Sequence, residues 1–308
     1  MAVRHLILCS ILTLVPGCTP RARDTLTGPE PEVAAVVAFT EGPTVDAEGN
    51  VYFTETRSER ILKFTPGKGV TTFRENSNGA NGLIIDPQGR LIACEGGARP
   101  RLTRTDLATG RVEVLAESYR GEPLQSPNDV TLDSRGRIYF TDYRGKAIYR
   151  IDADGTLHRI LAAPQIEVPN GIVISPDDKT LYHVESNPVE GGARMIRAWD
   201  LAEDGSVSNM RVFYNFYPGR SADGLAIDVE GNVYAAAGLN RRRGTSETLD
   251  TKPGIHVISP QGRLLRYCPI REDTVTNCAF GGPDMRTLYV TAGKTLFAIR
   301  TEIPGMPR

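Results

Sequence analysis

The amino-acid sequence predicts an all-β fold, a six-bladed β-propeller of four-stranded antiparallel blades, and three observations carry that prediction. Six times an Asn, Asp or Glu stands directly before a short apolar run, at Glu41, Asn81, Asn128, Asn170, Asp223 and Asn277. Their successive separations are 40, 47, 42, 53 and 54 residues, a period in the range of one repeated blade. Tight turns rich in Asp and Gly lie between the apolar runs, and no sustained apolar period of 3.6 offers the helical crossovers of a parallel sheet. The 31 Gly, 21 Pro and 7% aromatics suit many short strands joined by turns.

The elements follow in chain order. Met1 to His5 carries Arg4, Leu6 to Val15 is largely apolar, and Gly17-Cys18 follows, which together read as an export signal over residues 1–17. An apolar stretch of ten residues is too short to span a bilayer as a helix. Val15-Pro16-Gly17-Cys18 is similar to a bacterial lipobox, in which Cys18 would be acylated. Residues 18–31, polar and with three prolines, then form a tether. The expected location is the cell envelope or periplasm, with membrane contact only through that lipid.

The propeller is expected over residues 32–303, with 304–308 as a tail. Glu32 to Phe39 is a mostly apolar segment, and the last unit, Asn277 to Ile303, holds only three strands, so the first segment can complete the sixth blade. The third unit shows the scheme: Val130 to Leu132, the turn Asp133 to Gly136, Arg137 to Thr141, Ala147 to Ile151, the turn Asp152 to Gly155, and Thr156 to Leu161. Second strands fit at Val51 to Thr54, Leu91 to Cys94, Thr180 to Val184, Val233 to Ala237 and Thr287 to Thr291.

A chain of 308 residues with net charge −1 can bury a full core and has no charge excess that would draw it to nucleic acid. Beyond the signal and Cys18, the cysteines are Cys94, Cys268 and Cys278, at irregular spacing and without a Cys-x-x-Cys pair. They read as buried free thiols in preference to a Cys268–Cys278 disulfide.

In a propeller the innermost strand of each blade runs beside the central channel, so the six marked residues converge at one mouth. Glu41 and Asp223 bring negative charge and the Asn side chains bring neutral carbonyl oxygens. All are hard donors, which favours calcium or magnesium. The competing reading, plain Asn-Gly and Asp-Gly turns, explains one or two units better than the four in which the marked residue precedes Gly. His158, His183 and His256 fall on separate strands, which argues against a His-built zinc or copper site, although His183 with Glu185 could line the mouth. No Gly-x-Ser-x-Gly elbow is present.

At these residues the chain resembles the gluconolactonase family, which includes regucalcin, the senescence marker protein. The stretches that carry the resemblance are Glu41-Gly-Pro with Val51-Tyr-Phe-Thr-Glu, Ser126-Pro-Asn-Asp-Val with Gly136-Arg-Ile-Tyr-Phe-Thr-Asp, Pro169-Asn-Gly-Ile, Ala222-Asp-Gly-Leu-Ala-Ile-Asp and Thr276-Asn-Cys-Ala-Phe-Gly-Gly-Pro-Asp. The resemblance implies a six-bladed propeller that holds a divalent cation at the channel mouth and hydrolyses a small-molecule sugar lactone to the aldonic acid. Glu41, Asn170 and Asp223 would ligate the cation, and Asn128 would reach it directly or through water. Calcium is preferred, with magnesium, manganese or zinc as alternatives. Asp223 would act as general base, and Asn128 would orient the carbonyl or stabilise the oxyanion.

The chain departs from the relatives' pattern at Ser126, where an Arg is common, and at Tyr143, where a Pro is common. Arg241-Arg242-Arg243 reads as a solvated loop, with a contact to an anionic product as the alternative. Two other functions use the same fold: an esterase or phosphotriesterase at the same cation, and a non-catalytic binding propeller on the cell surface.

Overall fold

The computed structural model describes residues 31–37 and 39–307. The expected signal, Cys18 and nearly all of the tether lie outside them. Six four-stranded antiparallel sheets follow one another, with inner strands Thr40–Val45, Ala80–Ile85, Pro127–Leu132, Pro169–Ile174, Ala222–Ile227 and Val275–Gly281. Each inner strand contacts that of the next blade, and the sixth contacts the first, so the ring is closed. The first segment, Glu32–Val36, pairs antiparallel with Thr295–Arg300 and completes blade six, as expected from the sequence.

The turns explain why the strands end where they do. Asp46, Asp86, Asp133 and Asp228 each accept backbone N–H groups two and four residues ahead, at 2.8–3.0 Å, so one carboxylate shapes the whole reversal. The glycine three residues after each Asp takes a positive φ of +75° to +82°, which residues with a Cβ rarely adopt. In blade four Ser175 replaces the Asp, and its hydroxyl accepts from the Thr180 N–H at 2.9 Å.

Packing follows the blades. The buried apolar side chains form six clusters, each filled from two neighbouring blades: Ile148, Ile172 and Trp199 between blades three and four, for example, and Val51, Leu62 and Leu296 between blades six and one. Cys94, Cys268 and Cys278 are buried, and none of the three is in a disulfide. The last described residues cross to blade five, where Met306 N–H bonds Ile227 O at 3.0 Å and Val229 N–H bonds Pro304 O at 3.1 Å.

Candidate active site

All six marked residues lie at one recurring irregularity. The inner strand of every blade slips register against its second strand: between Glu41 and Thr44, Ala80 and Leu83, Pro127 and Val130, Pro169 and Ile172, Ala222 and Leu225, and Val275 and Asn277. The sequence placed the marked residues in equivalent register at the starts of the innermost strands, and each is the second or third residue of its strand. What the sequence did not show is that they sit on bulges, and a bulge re-aims a side chain out of the pleat. The following glycines make this possible. A Cβ on Gly42 would stand 2.2 Å from Asn81 O, one on Gly171 2.3 Å from Asp223 O, and one on Gly224 2.0 Å from Asn277 Oδ1.

The structure brings Glu41, Asp223 and Asn170 together. Glu41 is buried, and its carboxyl is pushed well above the usual range by burial and then by the negative charge of Asp223. Asp223 is raised by burial, opposed by Arg220 and by the Asn170 amide. Arg220 Nη2 donates to Asp223 Oδ2 at 2.5 Å and its Nη1 to Val275 O at 3.1 Å. Asn170 Nδ2 donates to Ser186 Oγ at 3.3 Å, and the Tyr143 phenol, raised by burial and then by the Asp223 charge, bonds the same Ser186. Asn128 is half-buried with its backbone against Gly82; among the described residues its amide makes no hydrogen bond to the other three. Asn81 lines a shallow pocket with Glu41, Gly96 and Ser126.

Loops entering the inner strands are held by acids at or near the ends of the second strands. Asp142 accepts the N–H groups of Gln125 at 2.8 Å and Ser126 at 2.7 Å, directly ahead of Asn128. Glu185 does the same for Glu167 at 3.0 Å and Val168 at 2.7 Å, ahead of Asn170. His183 does not line the mouth: it is fully buried, accepts from Trp199 Nε1 at 3.1 Å on Nδ1 and meets Glu185 Oε1 at 3.2 Å.

Asp129 was missed by the sequence reading. It occupies the position where four other blades have Gly, it accepts the N–H groups of Val130 at 3.0 Å and Ile172 at 3.3 Å, and burial pushes its carboxyl up to about 7. The break in the Asn/Asp-Gly pattern was the available signal. Arg220 and Tyr143 were also passed over as site residues, because nothing local in the sequence ties a residue three before Asp223, or one on blade three, to the channel.

Two facing carboxylates and an amide at a buried mouth are hard oxygen donors whose mutual repulsion a dication would relieve. Among the described residues no three His, Cys, Asp or Glu side chains cluster as a metal site, so a cation here would draw on amide oxygens as well as the carboxylates.

Fold and mouth together define a closed six-bladed propeller with its polar side chains converged at one end of the axis. Residues 39–294 match the family model described as SMP-30/Gluconolactonase/LRE-like region, and the chain belongs to that family. Gluconolactonase of Zymomonas mobilis is 26% identical, over 89% of this chain and 81% of its own length. The solved gluconolactonase of Xanthomonas campestris superposes with a TM-score of 0.73 at 25% identity, covering 93% of this chain and all of its own. A calcium-binding protein, regucalcin, from Agrobacterium tumefaciens shares the fold with a TM-score of 0.73 at 20% identity, over 92% of this chain and 97% of its own.

Proposed function

We propose that this protein is a divalent-cation-dependent hydrolase that opens a sugar lactone to the aldonic acid. The observation that carries the reading is the meeting of Glu41, Asp223 and Asn170 from blades one, five and four at one buried mouth. Membership of the family and the similarity to gluconolactonases support the reaction class. Glu41, Asn170 and Asp223 would hold the cation, with Asn128 beside it; bound there, a cation polarises the lactone carbonyl and lowers the pKa of a bound water. Calcium suits these oxygens and is what the Agrobacterium relative is described as binding.

The chain's own groups do the remaining work. Asp223, with its affinity for a proton raised by burial, takes a proton from the attacking water and returns it to the ring oxygen as the C–O bond breaks. Arg220 fixes the Asp223 carboxylate in place, and Asn128 steadies the carbonyl oxygen as charge develops on it. Export and acylation at Cys18 belong to the same reading, and labelling of Cys18 but not Cys18→Ala by a fatty-acid probe tests them.

The deciding assay is turnover of glucono-1,5-lactone after chelation, followed by separate additions of calcium, magnesium, manganese and zinc. Loss of at least tenfold and recovery with calcium are expected. Full activity in the chelated protein removes the cation from the mechanism.

A further inference from the structure

We infer that Arg220 and Arg243 form an anion subsite beside the catalytic mouth, and that the lactone accepted there carries a negative group remote from the reacting carbonyl. The substrate part of this inference rests on the lactonase reading; the binding part does not.

Arg243 reaches the mouth from an unusual connection. Second and third strands are joined by residues 143–146 in blade three but by 238–253 in blade five. The tip of that segment, residues 240–245 with all three arginines, is exposed as the composition suggested, but its flanks are docked. Ser246 N–H bonds Pro188 O at 3.2 Å, Thr248 N–H bonds Pro218 O at 3.0 Å and Asn240 N–H bonds Asp273 Oδ1 at 2.7 Å. Arg194, fully buried, ties the same region together through Pro218 O and Val189 O, both at 2.8 Å, and the Ser246 hydroxyl. The insertion is therefore a docked wall that can preorganise a side chain.

The charges at this wall leave room for an anionic ligand. Arg220 Nη1 donates to Val275 O at 3.1 Å and Arg243 Nη2 to the hydroxyl of the adjacent Thr274, so the two guanidinium groups are neighbours, and after burial the Arg220 charge is what most lowers the proton affinity of Arg243. The nearby acids are Asp223, Glu247 and Asp273. Asp223 is engaged by Arg220 at 2.5 Å, Glu247 accepts the Thr245 hydroxyl at 2.8 Å, and Asp273 forms a loose ion pair with Arg243 Nη2 at 3.8 Å, too long for a hydrogen bond. Among the described residues Arg243 makes one side-chain hydrogen bond, from Nη2 to the Thr274 hydroxyl. Most of one guanidinium fork is thus unused next to a second guanidinium, a geometry that suits the paired oxygens of a carboxylate, phosphate or sulfonate.

Calorimetric titration of the protein with gluconate, glucarate and 6-phosphogluconate tests this, because the last two add a terminal carboxylate or phosphate to the first. Glucarate, 6-phosphogluconate or both should bind at least tenfold tighter than gluconate at low salt, with the gain shrinking as salt rises. The ligand that gains most names the acidic group. Arg243→Gln should abolish the gain, Arg243→Lys restore part of it, and Arg242→Gln, one residue away on the same exposed tip, leave it intact. Equal binding of all three acids, or a gain that survives Arg243→Gln, overturns the proposal. If the charge preference holds but neither neutral nor acidic lactones are hydrolysed, the subsite stands and the lactonase reading falls. Rapid turnover of gluconolactone without any charge preference does the reverse.

Discussion

Glu41 is a side chain whose charge works against the fold that holds it. Burial and the neighbouring Asp223 both disfavour its ionised form, so a neutral isostere removes an electrostatic burden together with the function. Glu41→Gln is expected to melt several degrees higher than the parent in cation-free buffer at pH 7, while lactone turnover falls by about 100-fold or more. Scanning calorimetry and an activity assay on one preparation decide it, and an unchanged or lower Tm contradicts the account. His256 gives a pH dependence away from the mouth. Burial lowers its pKa, opposed by the hydrogen bond its Nε2–H donates to Lys252 O at 3.0 Å, so the unfolded chain takes up this proton first as pH falls. Stability is then complete above about pH 6.5 and declines below it until the folded group also titrates. His256→Gln should flatten that acid limb in melting curves between about pH 5 and 8. An acid limb as steep as the parent's excludes His256 as its source.

At the scale of the element, the strand order was legible because each Asp-x-x-Gly turn writes its own geometry in four residues. Asp133 to Gly136 shows it: the carboxylate that captures N–H groups ahead of it and the glycine at φ +76° are both local choices. The bulges were not legible, since a register slip is decided by the pairing of two strands and by how near the next blade comes. Gly224 is the sharpest case, for its missing side chain is what leaves room for the Asn277 amide of the neighbouring blade. Gly224→Ala is therefore expected to destabilise the protein by about 1–3 kcal/mol, the usual penalty of overpacking. It should also depress activity beyond the loss of folded protein, because Asp223 shares the bulge. Urea unfolding with activity normalised to the folded fraction separates the two effects. A variant as stable and as active as the parent means that the blades yield at this point.

Across the whole molecule, the ring forms because each blade buries one face against each neighbour, and repeat spacing alone announces that arrangement. What the spacing could not show is that Arg243 joins Arg220 and Asp223 near the axis, since it arrives on a docked insertion with no counterpart of its length in the other blades. The seam between the two ends of the chain carries the largest structural prediction. Glu32–Val36 closes blade six through four paired positions, Glu32 with Ala298, Val33 with Phe297, Ala35 with Leu296 and Val36 with Thr295. The inner ring has its own closure, in which Thr276 Oγ1 donates to Thr40 O at 3.0 Å and Thr40 N–H bonds Gly293 O at 2.8 Å. A chain beginning at Phe39 would keep that inner seam and lose the outer strand. With cross-strand pairs worth about 0.2–1 kcal/mol each, the truncation should lower unfolding free energy by about 1–4 kcal/mol. It would also bare Thr295–Arg300 as an unpaired sheet edge, so concentration-dependent association should appear by size-exclusion chromatography. Because Glu41 stands one residue beyond Thr40, loosening of this seam should reduce lactone turnover along with Tm. A truncated chain that elutes as the parent does and melts at the same temperature assigns closure to the inner ring alone.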